Sequence, residues 1–314
     1  MKKLSVILLS YYSERRIKNV YDSVNNTLCD AGIDFEFIVI DDGSRDNSYD
    51  TALELEREKE NVKAFQLSRN YTSHYALFAG LSICTGDCAV AIPDDEQQPY
   101  KLLIELYKKW EEGNKIVIPY RLNRKDPVIS KFFSNSFYFV MNNLSDIKYP
   151  PGGADSVLVD REIIDLLNTR IHPINTTTIT EVLRLGFDPV YVPYERLKGN
   201  NEKSRWTFKK KWKLALDNFY SSSSFPIKFI SVMGMFFSFF SFLLIIFYSY
   251  INIFGNKTFW GYNPPGWTST VLFISFFSGL ILFALGIISE YIWRIYEEVK
   301  DRPGYIIKRK ASDE

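Results

Sequence analysis

Phe37-Ile38-Val39-Ile40-Asp41-Asp42-Gly43-Ser44-Arg45-Asp46 is the stretch that decides the fold. The segment Phe35–Ile40, apolar but for Glu36, reads as a strand. Two carboxylates and a glycine stop it, and Asp46 is placed to cap a helix that runs to about Glu58. Strand, tight turn and helix within about two dozen residues is one unit of an alternating α/β chain.

The same unit repeats outward from this turn. Leu4–Ser10 is a short apolar strand, and Glu14–Leu28 is a helix with Ile17, Val20, Tyr21, Val24 and Leu28 on one stripe. Val62–Leu67, Asp87–Ile92 and Lys115–Pro119 read as further strands, with helices over Tyr75–Cys84 and Pro99–Glu112. This alternation predicts a doubly wound, mostly parallel sheet, whose ligands bind outside the carboxyl ends of the strands. Asp41-Asp42 and Asp94-Asp95 both fall at such ends and should share one cleft. Two further helices are expected at 126–143, rich in phenylalanine, and at 206–220, where Trp206, Phe208, Trp212 and Phe219 are mixed with lysines. The second has the composition of a helix lying in the lipid headgroup layer.

The remainder of the chain differs in character. Phe229–Ile251 and Trp267–Ser289 carry no charged side chain, and each is about 23 residues, enough to cross ~30 Å of hydrocarbon as a helix. The linker between them contains Gly255, Pro264 and Pro265, so the pair reads as a transmembrane hairpin. Lysines and arginines crowd both outer flanks, from Lys198 to Lys228 and from Arg294 to Lys310, whereas the linker offers only Lys257. The positive-inside rule then puts both termini in the cytoplasm and the protein in the cytoplasmic (inner) membrane. The expected organisation is a catalytic domain over 1–205, an interfacial helix over 206–228, spans at 229–251 and 267–289, and a basic tail over 290–314.

Composition removes several function classes. The net charge is +1, which gives no polyanion signature and argues against nucleic acid as a partner. Three cysteines, Cys29, Cys84 and Cys88, are too few and too irregular for a disulfide frame and fit a reducing compartment. With His74 and His172 the only histidines, a multi-histidine metal site is excluded.

Carboxylates at strand ends can hold a divalent cation, accept hydrogen bonds from a nucleotide, or act as a base; they can also simply form turns and cap helices. Mg²⁺ is commonly held by one or two carboxylates plus substrate phosphates, and a departing nucleoside diphosphate needs such neutralisation. Two carboxylate pairs in one cleft favour the functional use.

Several segments carry a family resemblance. The Phe37–Asp46 run resembles the nucleotide-binding turn of family 2 glycosyltransferases of the GT-A fold. Leu67-Ser68-Arg69-Asn70-Tyr71, followed by Ala76–Leu81, is similar to their polyprenyl-phosphate branch, which includes dolichol-phosphate mannose synthase and the phage-type bactoprenol glucosyltransferases. Asp94-Asp95-Glu96-Gln97-Gln98-Pro99 stands where that branch has its Asp-Ala-Asp metal motif, with Pro93 on the first Asp, Asp94 on the variable middle position and Asp95 on the second Asp. Gly153–Arg161 resembles the segment with the acceptor-side Asp, here Asp155, and Gly266–Ser269, Gly286–Tyr291 and Glu297–Pro303 resemble the two-span members. Ser10 and Ser13 depart from the family's Pro and Asn.

The resemblance implies an inverting transfer from a nucleotide sugar, with a UDP-sugar expected, to polyprenyl (undecaprenyl) phosphate. It implies a divalent cation, Mg²⁺ or Mn²⁺, on Asp95 with Asp94 second. Asp41, Asp42, Glu14 and Asp94 are the implied donor-side residues, and Asp155 and Asp95 the catalytic ones. Arg121, Arg124, Lys131, Arg196 and Arg205 are candidates for the acceptor phosphate. A transferase that extends a lipid-linked glycan, and a catalytically silent nucleotide-sugar-binding scaffold, stay open as alternatives. So does a homo-oligomer.

Overall fold

The computed structural model describes residues 2–122, 147–148, 154, 156–174, 176–197, 223, 225–254, 266–300 and 302–308. The expected helices at 126–143 and 206–220 lie outside the described residues, as do Asp155, Arg124, Lys131 and Arg205. The chain divides into two compact units, Met1–Ser222 with Asp301–Glu314, and Ser223–Lys300.

The first unit is an α/β sandwich. Its strands are β1 (Lys3–Ser10), β2 (Asp34–Asp41), β3 (Val62–Leu67), β4 (Cys88–Pro93), β5 (Ile116–Arg121), β6 (Leu158–Asp160), β7 (Val190–Tyr194) and β8 (Ile307–Lys308). Its helices are α1 (Ile17–Asp30), α2 (Ser48–Glu58), α3 (Ser73–Ile83), α4 (Lys101–Glu111), α5 (Arg161–Arg170) and α6 (Thr178–Arg184). The strands form one eight-stranded sheet in the order β7-β5-β6-β4-β1-β2-β3-β8. β1 pairs in parallel with β2 and β4, β2 with β3, and β5 with β7; β6 and β8 run antiparallel to their neighbours.

The order reverses at β1, from which the chain winds to β2 and β3 on one side and to β4 on the other. That switch point opens a crevice at the carboxyl ends of β1 and β4. Alternating strand residues feed two cores. Leu4, Val6, Leu8, Phe37 and Val39 pack with α1, α2 and α4, while Ile7, Ile38, Ile40, Ala89 and Ala91 pack with α3, α5 and α6. Gly80 lets α3 approach closely, since a Cβ there would stand 2.4 Å from Ile7 Cγ2.

At the opposite, amino end of the strands, the buried Glu36 accepts from Ser5 Oγ, from Thr85 through backbone and side chain, and from Gly86 N. Burial pushes its carboxyl up, but these hydrogen bonds and Lys3 together outweigh that and hold it below the usual range.

The second unit contains α7 (Phe225–Phe254) and α8 (Gly266–Val299), which are longer than the uncharged runs they contain. Among the described residues, Phe276–Val299 is one helix long and apolar enough to cross a membrane, with mean hydropathy 1.8 and none of it buried. Phe225–Phe237 is a shorter apolar stretch of the same kind. Met235, Phe236, Phe239, Phe273, Ile274, Phe276 and Leu282 are all exposed, an apolar surface far beyond what a monomer shows to water.

Candidate active site

Four strand ends build the site, and three of them carry backbone strain at a non-glycine residue. Among the described residues, the non-glycine residues with positive φ are Tyr12 (52°), Thr72 (86°) and Glu96 (54°), following β1, β3 and β4. Gly43, after β2, has φ 69°. Such conformations cost about 1–3 kcal/mol each for side-chain-bearing residues and persist only where surrounding bonds over-determine them. Here those bonds run to the predicted site residues.

Asp41 is fully buried at the end of β2. Its carboxylate accepts from Ser44 N at 3.0 Å, from Ser44 Oγ and from Gln66 Nε2 at 2.9 Å. In this arrangement it shapes the turn and does not present itself to a ligand. Asp42, 4% exposed, accepts from the backbone amides of Tyr71 at 2.7 Å and Thr72 at 2.9 Å, and so fixes the loop after β3. Between these contacts Gly43 is indispensable, because a Cβ there would lie 2.4 Å from the Arg69 carbonyl carbon. Tyr12 N donates to Ser44 Oγ at 2.9 Å, which ties the β1 loop to the same turn. Glu14 sits at the exposed rim, where its Oε1 accepts from Asn47 Nδ2 at 3.2 Å. Asp46 accepts from Ser48 N and Ser48 Oγ at the start of α2, close to the capping role expected of it.

At the end of β4 the two aspartates part company. Asp94, expected beside Asp95 at a metal, is ion-paired with Arg16 at 2.8 Å and accepts from Ser13 Oγ. Among the described residues no group of three His, Cys, Asp or Glu side chains is placed to hold a metal ion. Asp95 accepts from Gln97 N at 3.2 Å and stands 3.6 Å from Arg196. Burial is the largest influence on its carboxyl and pushes it up; Gln97 N–H, Arg196 and Arg121 pull it down, and Asp94 adds to the rise. It is thus a partly desolvated carboxylate whose fixed cationic neighbours do not make up for the lost hydration.

Of the five predicted phosphate-binding cations, the structure places Arg121 and Arg196 close enough to Asp95 to act on its charge. Arg121 Nε also donates to Tyr194 Oη at 3.3 Å, and Leu197 N donates to the Gln97 carbonyl, so the end of β7 is stitched to the Asp95 loop. His74, in the first turn of α3, is held neutral by burial, its pKa drawn down to about 4, and is too weak a base for proton transfer near neutrality.

Arg16 is a residue at this strand end that the sequence analysis did not single out. It lies just after β1 and 78 residues before Asp94, and only the fold brings the two within reach.

Comparison with known proteins gives the family. The profile of Glycosyl transferase family 2 matches residues 5–166. The chain is 31% identical over 312 residues to the SfII prophage-derived bactoprenol glucosyl transferase of Shigella flexneri, covering 98% of both chains. It is also 31% identical over 309 residues to the uncharacterized glycosyltransferase YkcC of Bacillus subtilis, covering 97% of this chain and 93% of that one. Among solved structures, glucosyl-3-phosphoglycerate synthase from Mycobacterium tuberculosis, in complex with Mn²⁺, UDP-glucose and phosphoglyceric acid, superposes with a TM-score of 0.47 at 19% identity, covering 68% of this chain and 76% of that one. With its profile matched over more than half of its length, and relatives of the same activity class 31% identical across nearly the whole chain, the chain belongs to glycosyl transferase family 2.

Proposed function

We propose that this protein transfers a glycosyl group, with inversion, from a nucleotide sugar to polyprenyl phosphate at the cytoplasmic face of a membrane. The observation that carries the reading is the similarity to a bactoprenol glucosyl transferase over 98% of both chains, apolar helices included. In the transfer, an acceptor phosphate oxygen forms a bond to the anomeric carbon as the bond from that carbon to the donor diphosphate breaks. A nucleoside diphosphate leaves. The acceptor is already anionic near neutral pH, so it needs positioning more than deprotonation.

The residues divide the work accordingly. The turn shaped by Asp41 and Asp42, with Glu14 at its rim, receives the nucleoside. Arg121 and Arg196, flanking Asp95, hold anionic oxygens of the acceptor, with Arg124, Lys131 and Arg205 as further candidates. Asp155 is assigned to the reacting centre by its likeness to the family's acceptor-side Asp. The donor set fits a hard divalent cation that shares its shell with substrate phosphates: Asp95 would hold it, and Asp94, engaged by Arg16, would brace the loop from behind. Such a cation supplies Lewis-acid neutralisation of the leaving diphosphate.

The test is a donor screen in membranes supplied with a short-chain polyprenyl phosphate, reading released nucleoside diphosphate and labelled lipid together. One donor should give both products in equal amounts. Label appearing only on a pre-assembled lipid-linked glycan would replace the priming reaction by an extending one.

The two-unit organisation supports a hairpin topology. Residues before α7 and after α8 belong to one compact unit, which can occupy only one side of a membrane. An even number of crossings fits that arrangement, with α7 and α8 as the two candidates. Reporters fused at Met1 and Glu314 should read cytoplasmic and a tag at Asn256 should read the opposite face; a cytoplasmic Asn256 tag would remove the hairpin.

A further inference from the structure

The chain beyond the second apolar helix does not end as a free basic tail. Residues 302–308 rejoin the sheet. Gly304 passes through a slot in which a Cβ would lie 2.9 Å from both Cγ and O of Pro173 and 3.0 Å from Tyr75 Cε1. Tyr305 and Ile307 pack against the core beneath α3, and Tyr305 Oη donates to the Phe78 carbonyl. Ser68 N donates to the Ile306 carbonyl at 2.8 Å, and β8 pairs antiparallel with Leu67 and Gln66.

Where this strand attaches is informative. Among the described residues its pairing is confined to the last two positions of β3, the end that carries the site loop. Lys308 Nζ donates to Gln66 Oε1 at 3.2 Å while Gln66 Nε2 donates to Asp41 at 2.9 Å, so the tail sets the orientation of the amide that holds Asp41. Ser68 opens the segment whose Arg69 backbone closes on Gly43 and whose Tyr71 and Thr72 amides hold Asp42. Both carboxylates of the donor turn are thus braced from a strand more than two hundred residues away. The brace also backs Thr72, whose φ of 86° needs an over-determined setting.

We propose that residues 303–308 are positioning residues of the donor site, holding the 68–72 loop so that the Asp41-Asp42 turn is in its nucleotide-binding form only while the tail is docked. The inference rests on the proposed use of a nucleotide donor. It gives the catalytic unit a means of binding donor only when the chain on the far side of the apolar helices is in place.

The test uses the full-length protein in lipid nanodiscs, with Gly304→Ala, Lys308→Met and a chain stopped after Arg302. The probe is the nucleoside diphosphate that the wild type releases. Its dissociation constant and the donor KM should rise about tenfold in Gly304→Ala and in the stopped chain, and a few-fold in Lys308→Met, as expected for misaligning charge-assisted hydrogen bonds. kcat at saturating donor should stay within about twofold, because the reacting groups are untouched. Hydrogen exchange should quicken at the Tyr71 and Thr72 amides. Should the stopped chain fail to fold, the two point variants still decide. Unchanged donor KM in both, or a lowered melting temperature with unchanged KM, would reduce the tail to a structural strand. A wild type that binds no nucleoside diphosphate would instead remove the proposed function and leave the tail contacts unexplained.

Discussion

Asp95→Asn is expected to lower turnover by ~10²–10³-fold, the loss of several kcal/mol of charge stabilisation at the leaving diphosphate. The substitution keeps size and deletes the charge that would anchor a divalent cation. In the free protein it is close to neutral for folding. Burial already disfavours the charged Asp95, and the groups that favour it, Gln97 N–H and Arg196, are able to adjust to an amide. Thermal stability should therefore hold while turnover falls, and raising the Mg²⁺ or Mn²⁺ concentration should recover part of the loss. Asp94→Asn is expected to behave differently. It breaks the Arg16 pair and loosens the β1 loop from the β4 loop, so donor KM should rise a few-fold and kcat should change little. Near-wild-type turnover in both variants would leave no metal role at this strand end and would favour a silent nucleotide-binding scaffold.

The sequence and the structure agree where the physics is local. A run rich in aromatic and β-branched residues such as Phe35–Ile40 favours a strand, and the turn residues Asp41-Asp42-Gly43 mark where it stops. The strand bounds found, Asp34–Asp41 and Cys88–Pro93, lie within a residue or so of that reading. α1 starts at Ile17 and not at Glu14: Tyr12 adopts a positive φ, and residues 14–16 form a turn closed by Arg16 N on the Ser13 carbonyl that leads into the helix. No propensity scale anticipates that, since the strain is imposed by the Ser44 and Ser48 hydroxyls that hold the loop.

The site was legible in its residue types and less so in its partnerships. Asp41 and Asp42 were placed at a strand end correctly, but their bonds run inward, to Gln66 and to the Tyr71 and Thr72 amides. Asp94 is paired with Arg16, 78 residues away in sequence, a partnership no local pattern announces. The tail was harder still. Tyr305-Ile306-Ile307 is too short a run to announce a strand, and its register opposite Leu67 depends on a slot that only Gly304 fits. Contacts of such separation are set by the whole fold and leave no mark within a window of sequence.

Asp155→Asn is expected to lower kcat by ~10²–10⁴-fold while leaving nucleoside diphosphate affinity within about twofold. Asp155 itself lies outside the described residues, and the expectation rests on its similarity to the family's acceptor-side Asp and on its chain neighbours. Ala154 bridges to Tyr120 beside Arg121, and Ser156 is buried with its hydroxyl 3.5 Å from Gln98 Nε2, next to the Asp95 loop. The segment is therefore anchored on both sides to elements that carry the phosphate-binding and metal-binding candidates, and not to the Asp41-Asp42 turn. A group acting on the acceptor or on the anomeric carbon contributes mainly in the transition state, so its removal should appear in kcat. A nucleotide ligand would behave in the opposite way, with donor affinity collapsing and turnover at saturation intact. Calorimetric titration of nucleoside diphosphate beside steady-state kinetics separates the two. If instead Asp155→Asn lost the circular-dichroism signature of the fold, the carboxylate would belong to the loop's structure, and the acceptor side would need another residue at the reacting centre.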